Sequence, residues 1–156
     1  MADTAVTISK LRVTPLLNPE KYGGFNYRAR VLHTDIAFGA GATDTVTLTL
    51  GSTPGKWQVS HALVNVTTAF AGTGAMTVQV GTTAQAAAFV AATTILAAAP
   101  IGVAGNAVAS FANSTAQTAT LIKAVFTNAT SGSPSALSAG VLDIYLRIND
   151  LVTLAR

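Results

Sequence analysis

The sequence predicts an all-β fold, an antiparallel β-sandwich or jelly roll of about seven or eight strands with an extended N-terminal arm. Three observations predict it. Apolar and polar residues alternate with a period of two in several segments, clusters of Gly, Ser, Asn and Pro separate these segments, and little of the chain shows helical periodicity. We assign residues 1–25 to the arm and residues 26–156 to a single domain, which is long enough to bury a substantial core.

Strict alternation is clearest in three segments, TDTVTLTL, AMTVQVG and GVLDIYLRIND. Apolar residues occupy every second position there, which is the pattern of a half-buried strand. The residues predicted to face inward are Val46, Leu48, Leu50, Met76, Val78, Val80, Leu142, Ile144, Leu146 and Ile148. In the last segment Asp143, Tyr145, Arg147 and Asn149 are predicted to face the other way.

Further strands are predicted in NYRARVLHTDIAF, KWQVSHALVNVTTAF and ATLIKAVFTN, with a weaker one in AVASFAN. The first of these segments, residues 26–38, mixes polar and apolar side chains on both faces and carries Arg28 and Arg30 on one of them. Such mixing is typical of a strand at a sheet edge or an interface. Of the rest, only Thr83–Ala99 is rich enough in Ala and Gln to form a helix of any length, and Pro100 would end it.

Charged residues are few. They make up 10% of the chain, against about 25% in average soluble proteins, and no Lys, Arg, Asp or Glu occurs between Lys56 and Lys123. The apolar stretch Ala86–Ala99 is too short for a membrane helix, which needs about 20 residues. The composition therefore predicts no membrane span, and instead a neutral surface of Thr, Ser, Asn, Gln, Gly and Ala that neighbouring subunits cover.

Basic residues concentrate near the N-terminus. Five of the nine lie in the first thirty positions: Lys10, Arg12, Lys21, Arg28 and Arg30. Three aromatic residues lie among them: Tyr22, Phe25 and Tyr27. Two interpretations remain open, a solubilising edge or an arm that contacts an acidic partner or nucleic acid. The basic run is not dense enough to predict specific nucleic-acid recognition, and aromatic anchors at a subunit contact explain the aromatic residues equally well.

No catalytic, cofactor or metal site is predicted. The chain has no Cys and no G-x-S-x-G motif, and the AGTG turn at residues 71–74 precedes a strand rather than the helix that a phosphate-binding loop opens. His33 and Asp35 share a face of a predicted strand and would supply two metal ligands, but no third ligand can be identified. His61 is interpreted as a sheet histidine. The six acidic residues show no acid–base spacing, so we predict that the protein is not an enzyme.

The run TDTVTLTLGSTPGKWQVSHALVNVTTAFAGTGAMTVQVGTT, the Ala-rich stretch after it and the closing GVLDIYLRIND resemble small virion proteins of tailed bacteriophages. In that group a Thr-rich strand leads to a long strand ending near TTAF, followed by a Gly-rich turn and a TVQVGTT strand. A Gly/Ala/Ser loop later precedes a last strand of the kind G-x-L-D-I-Y-x-R-I. The resemblance covers Thr43–Leu151, excludes the arm, and rests on strand-and-turn patterns rather than on a catalytic motif.

The resemblance implies a head decoration (cement) protein that binds the major capsid protein on the capsid surface as a homotrimer, after production in the cytoplasm of a bacterial host. No cofactor, membrane or specific nucleic acid is expected. The alternatives are another head–tail or tail component, and a receptor- or carbohydrate-binding sandwich that exposes Trp57, Tyr22, Tyr27 or Tyr145. The candidate subunit or capsid contacts are Lys10, Arg12, Lys21, Tyr22, Phe25, Tyr27, Arg28, Arg30, Phe89, Val90, Ile95 and Leu96. For the last four of these, packing against the domain itself and packing against a sister subunit both remain open.

Overall fold

The computed structural model describes residues 14–15, 25–38, 44–52, 57–97, 100–101, 121–128 and 137–150. Within these ranges the chain forms nine β-strands and one turn of 3₁₀ helix, His33–Asp35, and no α-helix. The strands, in chain order, are β1 (Thr14–Pro15), β2 (Tyr27–Leu32), β3 (Asp44–Ser52), β4 (Trp57–Ala71), β5 (Met76–Thr82), β6 (Val90–Thr94), β7 (Pro100–Ile101), β8 (Leu121–Asn128) and β9 (Ala139–Asp150).

The strands form two antiparallel sheets. The first has the order β1-β2-β9-β4-β7, in which β1 and β7 are two residues long, and the second has the order β3-β8-β5-β6. Pairing is nested along the chain, because β2 pairs with β9, β3 with β8, β4 with β7 and β5 with β6. Eight strands nested in this way over two sheets form a jelly roll. The predicted antiparallel sandwich is therefore confirmed.

One hydrophobic core lies between the two sheets. Val31, Val64 and Ile144 enter it from the first sheet and Leu48 and Phe126 from the second, and none of the five is more than 1% exposed. The three strictly alternating segments form β3, β5 and most of β9, and every residue predicted there to face inward is buried. Removing these side chains from water supplies the main stabilisation of the sandwich, at about 25 cal/mol per Å² of apolar surface.

The outer face of the second sheet is rich in threonine. Thr45 pairs with Thr127, Thr127 with Thr77, and Thr77 with Thr94, so that one row of threonines crosses all four strands. Threonine suits such a position because its β-branched side chain favours the strand conformation while its hydroxyl remains hydrated. Lys123 is the one charged side chain on this face within the described strands. The sheet thus presents a polar surface with a single positive charge within the described strands.

Alternation in residues 26–38 ends earlier than predicted. β2 stops at Leu32, and a 3₁₀ turn follows, in which the Leu32 N–H donates to Asp35 Oδ2 at 2.8 Å and the Ile36 N–H donates to the His33 carbonyl at 3.2 Å. A short Asp side chain competes with the sheet for backbone donors in this way. The turn brings Ile36 into the core. The shared strand face predicted for His33 and Asp35 is therefore not formed.

The prediction that Thr83–Ala99 could form a helix is wrong. The described residues of this stretch form a turn and then β6, because Phe89, Val90 and Ile95 are buried in the core. Backbone hydrogen bonds from the Phe89 N–H to the Val80 carbonyl and from the Ile95 N–H to the Met76 carbonyl hold the stretch against β5. Tertiary packing here overrides the helix propensity of alanine. The strand predicted in AVASFAN, residues 107–113, lies outside the described residues, as does the arm apart from residues 14–15 and 25.

Asn26 extends the β2–β9 ladder with its side chain. Its amide Nδ2 donates to the Ile148 carbonyl at 2.7 Å, and its Oδ1 accepts from the Ile148 N–H at 2.8 Å. Its own N–H donates to the Leu146 carbonyl at 3.1 Å. The side chain thus takes the place that a further backbone residue would have on the ladder.

We expect Asn26→Asp to lower the free energy of unfolding by about 1–3 kcal/mol at neutral pH, because a carboxylate oxygen would face the Ile148 carbonyl. A protonated carboxyl can donate there, so folding raises the pKa of the new group. The loss should therefore be smallest below about pH 3.9, the ordinary Asp pKa, and should grow as pH rises from there through the raised pKa of the folded protein. Urea denaturation at pH 3.5 and pH 7 measures this, and an equal loss at both values would contradict it.

Candidate protein-contact site

The outer face of the first sheet brings charged and aromatic side chains together. β2, the segment before it and β9 supply them. We name this surface the arginine–tyrosine face, made of Phe25, Arg28, Arg30, Asp143, Tyr145 and Arg147. The arginines, Asp143 and Tyr145 project outward because their neighbours Ala29, Leu142, Ile144 and Leu146 take the inward positions of the same strands. Phe25 precedes β2 and belongs to the face through its ring contact with Tyr145.

Strand register places Tyr145 in the middle of the face. Arg28 lies opposite Tyr145 on β2, and Leu63 lies opposite it on β4. Asp143 and Arg147 occupy the outward positions on either side of Tyr145 along β9, and Arg30 lies opposite Asp143. Opposed side chains in an antiparallel pair are about 4.5–5.5 Å apart at Cβ. The tyrosine is thus surrounded by arginine and leucine rather than by water alone.

Asp143 is buried although it points outward. Arg30 binds its carboxylate with two hydrogen bonds, Nε to Oδ1 at 2.9 Å and Nη2 to Oδ2 at 3.1 Å. Arg28 Nε lies 3.2 Å from the same Oδ1. The Asp143 side chain is 2% exposed, whereas those of Arg28 and Arg30 are 30% and 51% exposed. The hydrogen bond and the charge of Asp143 raise the pKa of Arg30, so this guanidinium stays charged up to strongly alkaline pH.

The face carries more positive charge than its one carboxylate can balance. Three arginines and one aspartate give it a formal charge of +2. Arg147 is exposed and has no ion-pair partner among the described residues. His61 lies opposite Arg147 on β4 and is exposed, with Nδ1 3.2 Å from Ser60 Oγ. A surface of this charge attracts acidic groups.

The aromatic part of the face is Phe25 against Tyr145. Their ring centroids are 5.9 Å apart and the rings are inclined by 48°. This tilted contact is one of the favourable arrangements of an aromatic pair. Tyr, Phe and Arg are among the side chains enriched at protein–protein contacts, where they supply buried area and, for Tyr and Arg, directed hydrogen bonds. The composition of the face is that of a protein contact.

The residues predicted from the sequence fall into three groups. Phe25, Arg28 and Arg30 are brought together on the face, while Tyr27 on the same strand is half-buried against the core. Phe89, Val90 and Ile95 are buried in the core of their own domain, and Leu96 is half-buried against it. These four side chains stabilise the domain and do not belong to the surface described here. The rest, Lys10, Arg12, Lys21 and Tyr22, lie outside the described residues.

Asp143 and Arg147 were not predicted as contacts from the sequence, and Tyr145 was predicted as one only for the receptor- or carbohydrate-binding alternative. Their outward orientation was predicted correctly from the alternation in β9. The pairing of β9 with β2 could not be predicted, because it joins residues more than a hundred positions apart and no local sequence pattern indicates it. The sequence pattern that could have indicated this site is an Asp predicted to face outward from a strand, in a chain with arginines on another predicted strand.

Within the described ranges, no group of three or more His, Cys, Asp or Glu side chains is placed to hold a metal ion. The same ranges contain no helix able to span a membrane. Comparison with protein-family models, with curated proteins and with solved structures finds no match to this chain.

We expect Asp143→Asn to lower the free energy of unfolding by about 1–2 kcal/mol, because it removes the negative charge shared by Arg28 and Arg30 and turns an amide donor toward one of them. The exposure of both arginines keeps the loss this small. Arg147→Gln is the matched control, since it neutralises a charge of the same face that has no ion-pair partner in the described part of the chain. Urea denaturation should show a change below about 0.5 kcal/mol for the control; equal losses would contradict the role of Asp143.

Proposed function

We propose that the protein is a non-enzymatic structural protein of a bacteriophage virion, a head decoration protein that binds the shell of major capsid protein as a homo-oligomer. Two findings support this. The sequence from Thr43 to Leu151 resembles small phage virion proteins, and the strand order is that of a jelly roll, an architecture that viral capsid domains use. A fold alone does not define a function, which resides in particular surface residues.

The arginine–tyrosine face is the observation that carries the proposal. It combines an aromatic pair with arginines on one side of a rigid sheet, which is the composition of residues that contribute most to protein binding. The outer face of the opposite sheet is rich in threonine and carries one charged side chain among the described strands, Lys123, so the two sheets present different surfaces. In our proposal the arginine–tyrosine face binds the shell, with Asp143 fixing the orientation of Arg30 and Arg28.

The oligomeric part of the proposal depends on the uncharged region of the chain. Strands β4 to β7 contain no Lys, Arg, Asp or Glu, and small side chains such as Ala91 and Ala92 on β6 are exposed. Small uncharged side chains allow another subunit to approach closely. A closed trimer would bury the surface of β6, the edge strand of the second sheet, by cyclic symmetry. Light scattering on the purified protein should then give three times the chain mass of 15.8 kDa.

We expect Ala92→Glu to weaken the trimer more than the fold. Ala92 is exposed on β6, so the free energy of unfolding of one subunit should change by less than about 0.5 kcal/mol. Three glutamates brought together would repel one another and shift the measured mass toward the monomer. An unchanged trimer mass would show that β6 faces solvent and not a sister subunit.

The decoration role itself is tested by counting copies in purified phage particles. Quantitative mass spectrometry should find this chain at a copy number comparable to that of the major capsid protein. A few copies per particle would exclude decoration and leave a head–tail, tail or receptor-binding role. Complete absence from particles would exclude a virion function altogether.

A further inference from the structure

We infer that the arginine–tyrosine face recognises an acidic segment of a partner protein, in extended conformation, through two carboxylates that bind Arg28 and Arg147. The inference rests on the proposed role of this face as a contact surface and specifies the chemistry of the partner. Three observations support it: which arginine N–H donors already have partners in the fold, how far apart Arg28 and Arg147 lie, and which side chains surround these two arginines.

The three arginines differ in how many donors are in use. Arg30 is occupied, because its Nε and Nη2 form a two-point contact with Asp143. Arg28 approaches Asp143 through Nε alone, at 3.2 Å, and its side chain has no further partner in the described part of the chain. Arg147 has no ion pair there, and the contact found at this residue is its carbonyl accepting from Ser60 Oγ. A guanidinium has five N–H donors, so Arg28 and Arg147 keep most of theirs for a partner.

The separation of Arg28 and Arg147 matches an extended peptide. Arg28 lies opposite Tyr145, and Arg147 is the next outward residue along β9, so the two are diagonal neighbours about 7–8 Å apart. Alternate side chains of an extended strand are about 6.6–6.8 Å apart on one face. These are separations of backbone positions, and the Arg28 guanidinium is directed toward Asp143, away from Arg147. Acidic residues on one face of an extended strand, at positions i and i+2 or i and i+4, therefore match the two guanidinium groups, and the residues at the positions between these point away from the face.

Tyr145 favours a peptide over a bare anion. Tyr145 is a direct neighbour of both arginines, of Arg28 across the strand pair and of Arg147 along β9. Its ring contacts Phe25, and Leu63 lies opposite it on β4. A peptide crossing from one arginine to the other covers this apolar centre and excludes water from the charged contacts, which strengthens them. Nucleic acid fits less well, because a formal charge of +2 is small beside the run of phosphates on a strand.

The test is an NMR titration of the full-length protein with an eight-residue peptide of alternating Glu and Thr. We expect the Nε–H resonances of Arg28 and Arg147 to shift, with an affinity that falls as salt is added. Arg147→Gln and Arg28→Gln should each weaken binding about tenfold, the equivalent of one charge-assisted hydrogen bond. Arg147→Gln is the decisive variant, because no ion pair of the described fold depends on it.

Three controls define what would overturn the inference. Lys123→Gln removes one positive charge from the outer face of the other sheet and should change the affinity less than twofold; a loss equal to that of Arg147→Gln would mean general charge attraction. The matching Gln/Thr peptide should not bind. A single-stranded DNA of the same formal charge should bind more weakly than the Glu/Thr peptide. Tighter binding of the DNA would show that the face recognises nucleic acid rather than an acidic protein segment. No shift with the Glu/Thr peptide at tenfold molar excess would overturn the inference directly.

This experiment separates the inference from the function that it rests on. Peptide binding in solution together with absence from phage particles would keep the acidic-segment specificity and exclude decoration. A full copy number in particles together with no peptide binding would keep decoration and exclude this specificity.

Discussion

Replacing Gly140 with alanine is expected to lower the free energy of unfolding by about 3–5 kcal/mol, a large part of the stability of a domain of this size. Gly140 is at the start of β9 with φ +144°, a conformation that residues with a side chain rarely adopt. A Cβ there would also lie 2.6 Å from Cε1 of Phe70, inside the ring contact distance. Phe70 is 3% exposed in the core, so displacing its ring would disturb the packing around it.

A double-mutant cycle separates the two causes. Phe70→Leu removes the ring, so Gly140→Ala should cost less in that background than in the wild type, and the remaining cost measures backbone strain. Gly72→Ala is the second control, since Gly72 also has a positive φ, +101°, but is exposed; we expect it to cost about 1–2 kcal/mol. Equal losses at positions 72 and 140 would show that the contact with Phe70 is unimportant. Urea denaturation followed by circular dichroism measures all four variants.

Gly81→Ala is expected to be the second most damaging change, at about 2–4 kcal/mol, for a different reason. The backbone of the following turn occupies the space where a side chain at position 81 would be. An added Cβ would lie 2.6 Å from both the carbonyl carbon and the oxygen of Ala86, and even closer to the Gln85 carbonyl oxygen. These are backbone atoms, so the turn would have to move as a unit.

That movement would break the hydrogen bonds that close the turn. The Thr82 N–H donates to the Gln85 carbonyl at 2.9 Å, and the Gln85 N–H donates to Thr82 Oγ1 at 3.2 Å. The turn also positions Phe89, which is 1% exposed in the core. Gln79→Ala, two residues earlier on the same outward face of β5, removes atoms instead of adding them and should cost less than about 0.5 kcal/mol. A thermal unfolding midpoint for Gly81→Ala equal to that of Gln79→Ala would contradict this explanation.

The sequence allowed the long strands and their inward faces to be predicted because a period of two is a local property. Val46, Met76 and Leu142 each begin a run of alternate residues whose burial depends on little more than the strand itself. The same reasoning predicted that Asp143 and Tyr145 would face away from the core.

Tertiary interactions decided what the sequence could not show. β6 lies in an Ala-rich stretch with helical propensity, and it becomes a strand because Phe89, Val90 and Ile95 fill the core beside β5. The arginine–tyrosine face depends on the pairing of β2 with β9, where the hydrogen-bonded Arg30 and Asp143 are separated by 113 positions. Neither a propensity nor a motif carries that information, so Asp143 became visible as the organising carboxylate only in the folded structure.

A reconstruction of the phage particle tests most directly whether the arginine–tyrosine face binds the capsid shell. We predict density for this chain on the outside of the capsid, arranged as trimers, with the outer face of the β2-β9-β4 sheet against the major capsid protein and acidic side chains of that protein within hydrogen-bond distance of Arg28 and Arg147. The threonine-rich face of the other sheet should point away from the shell. Trimers on the capsid with the arginine–tyrosine face turned toward solvent would contradict the contact that we propose, and a particle without such density would contradict the decoration role.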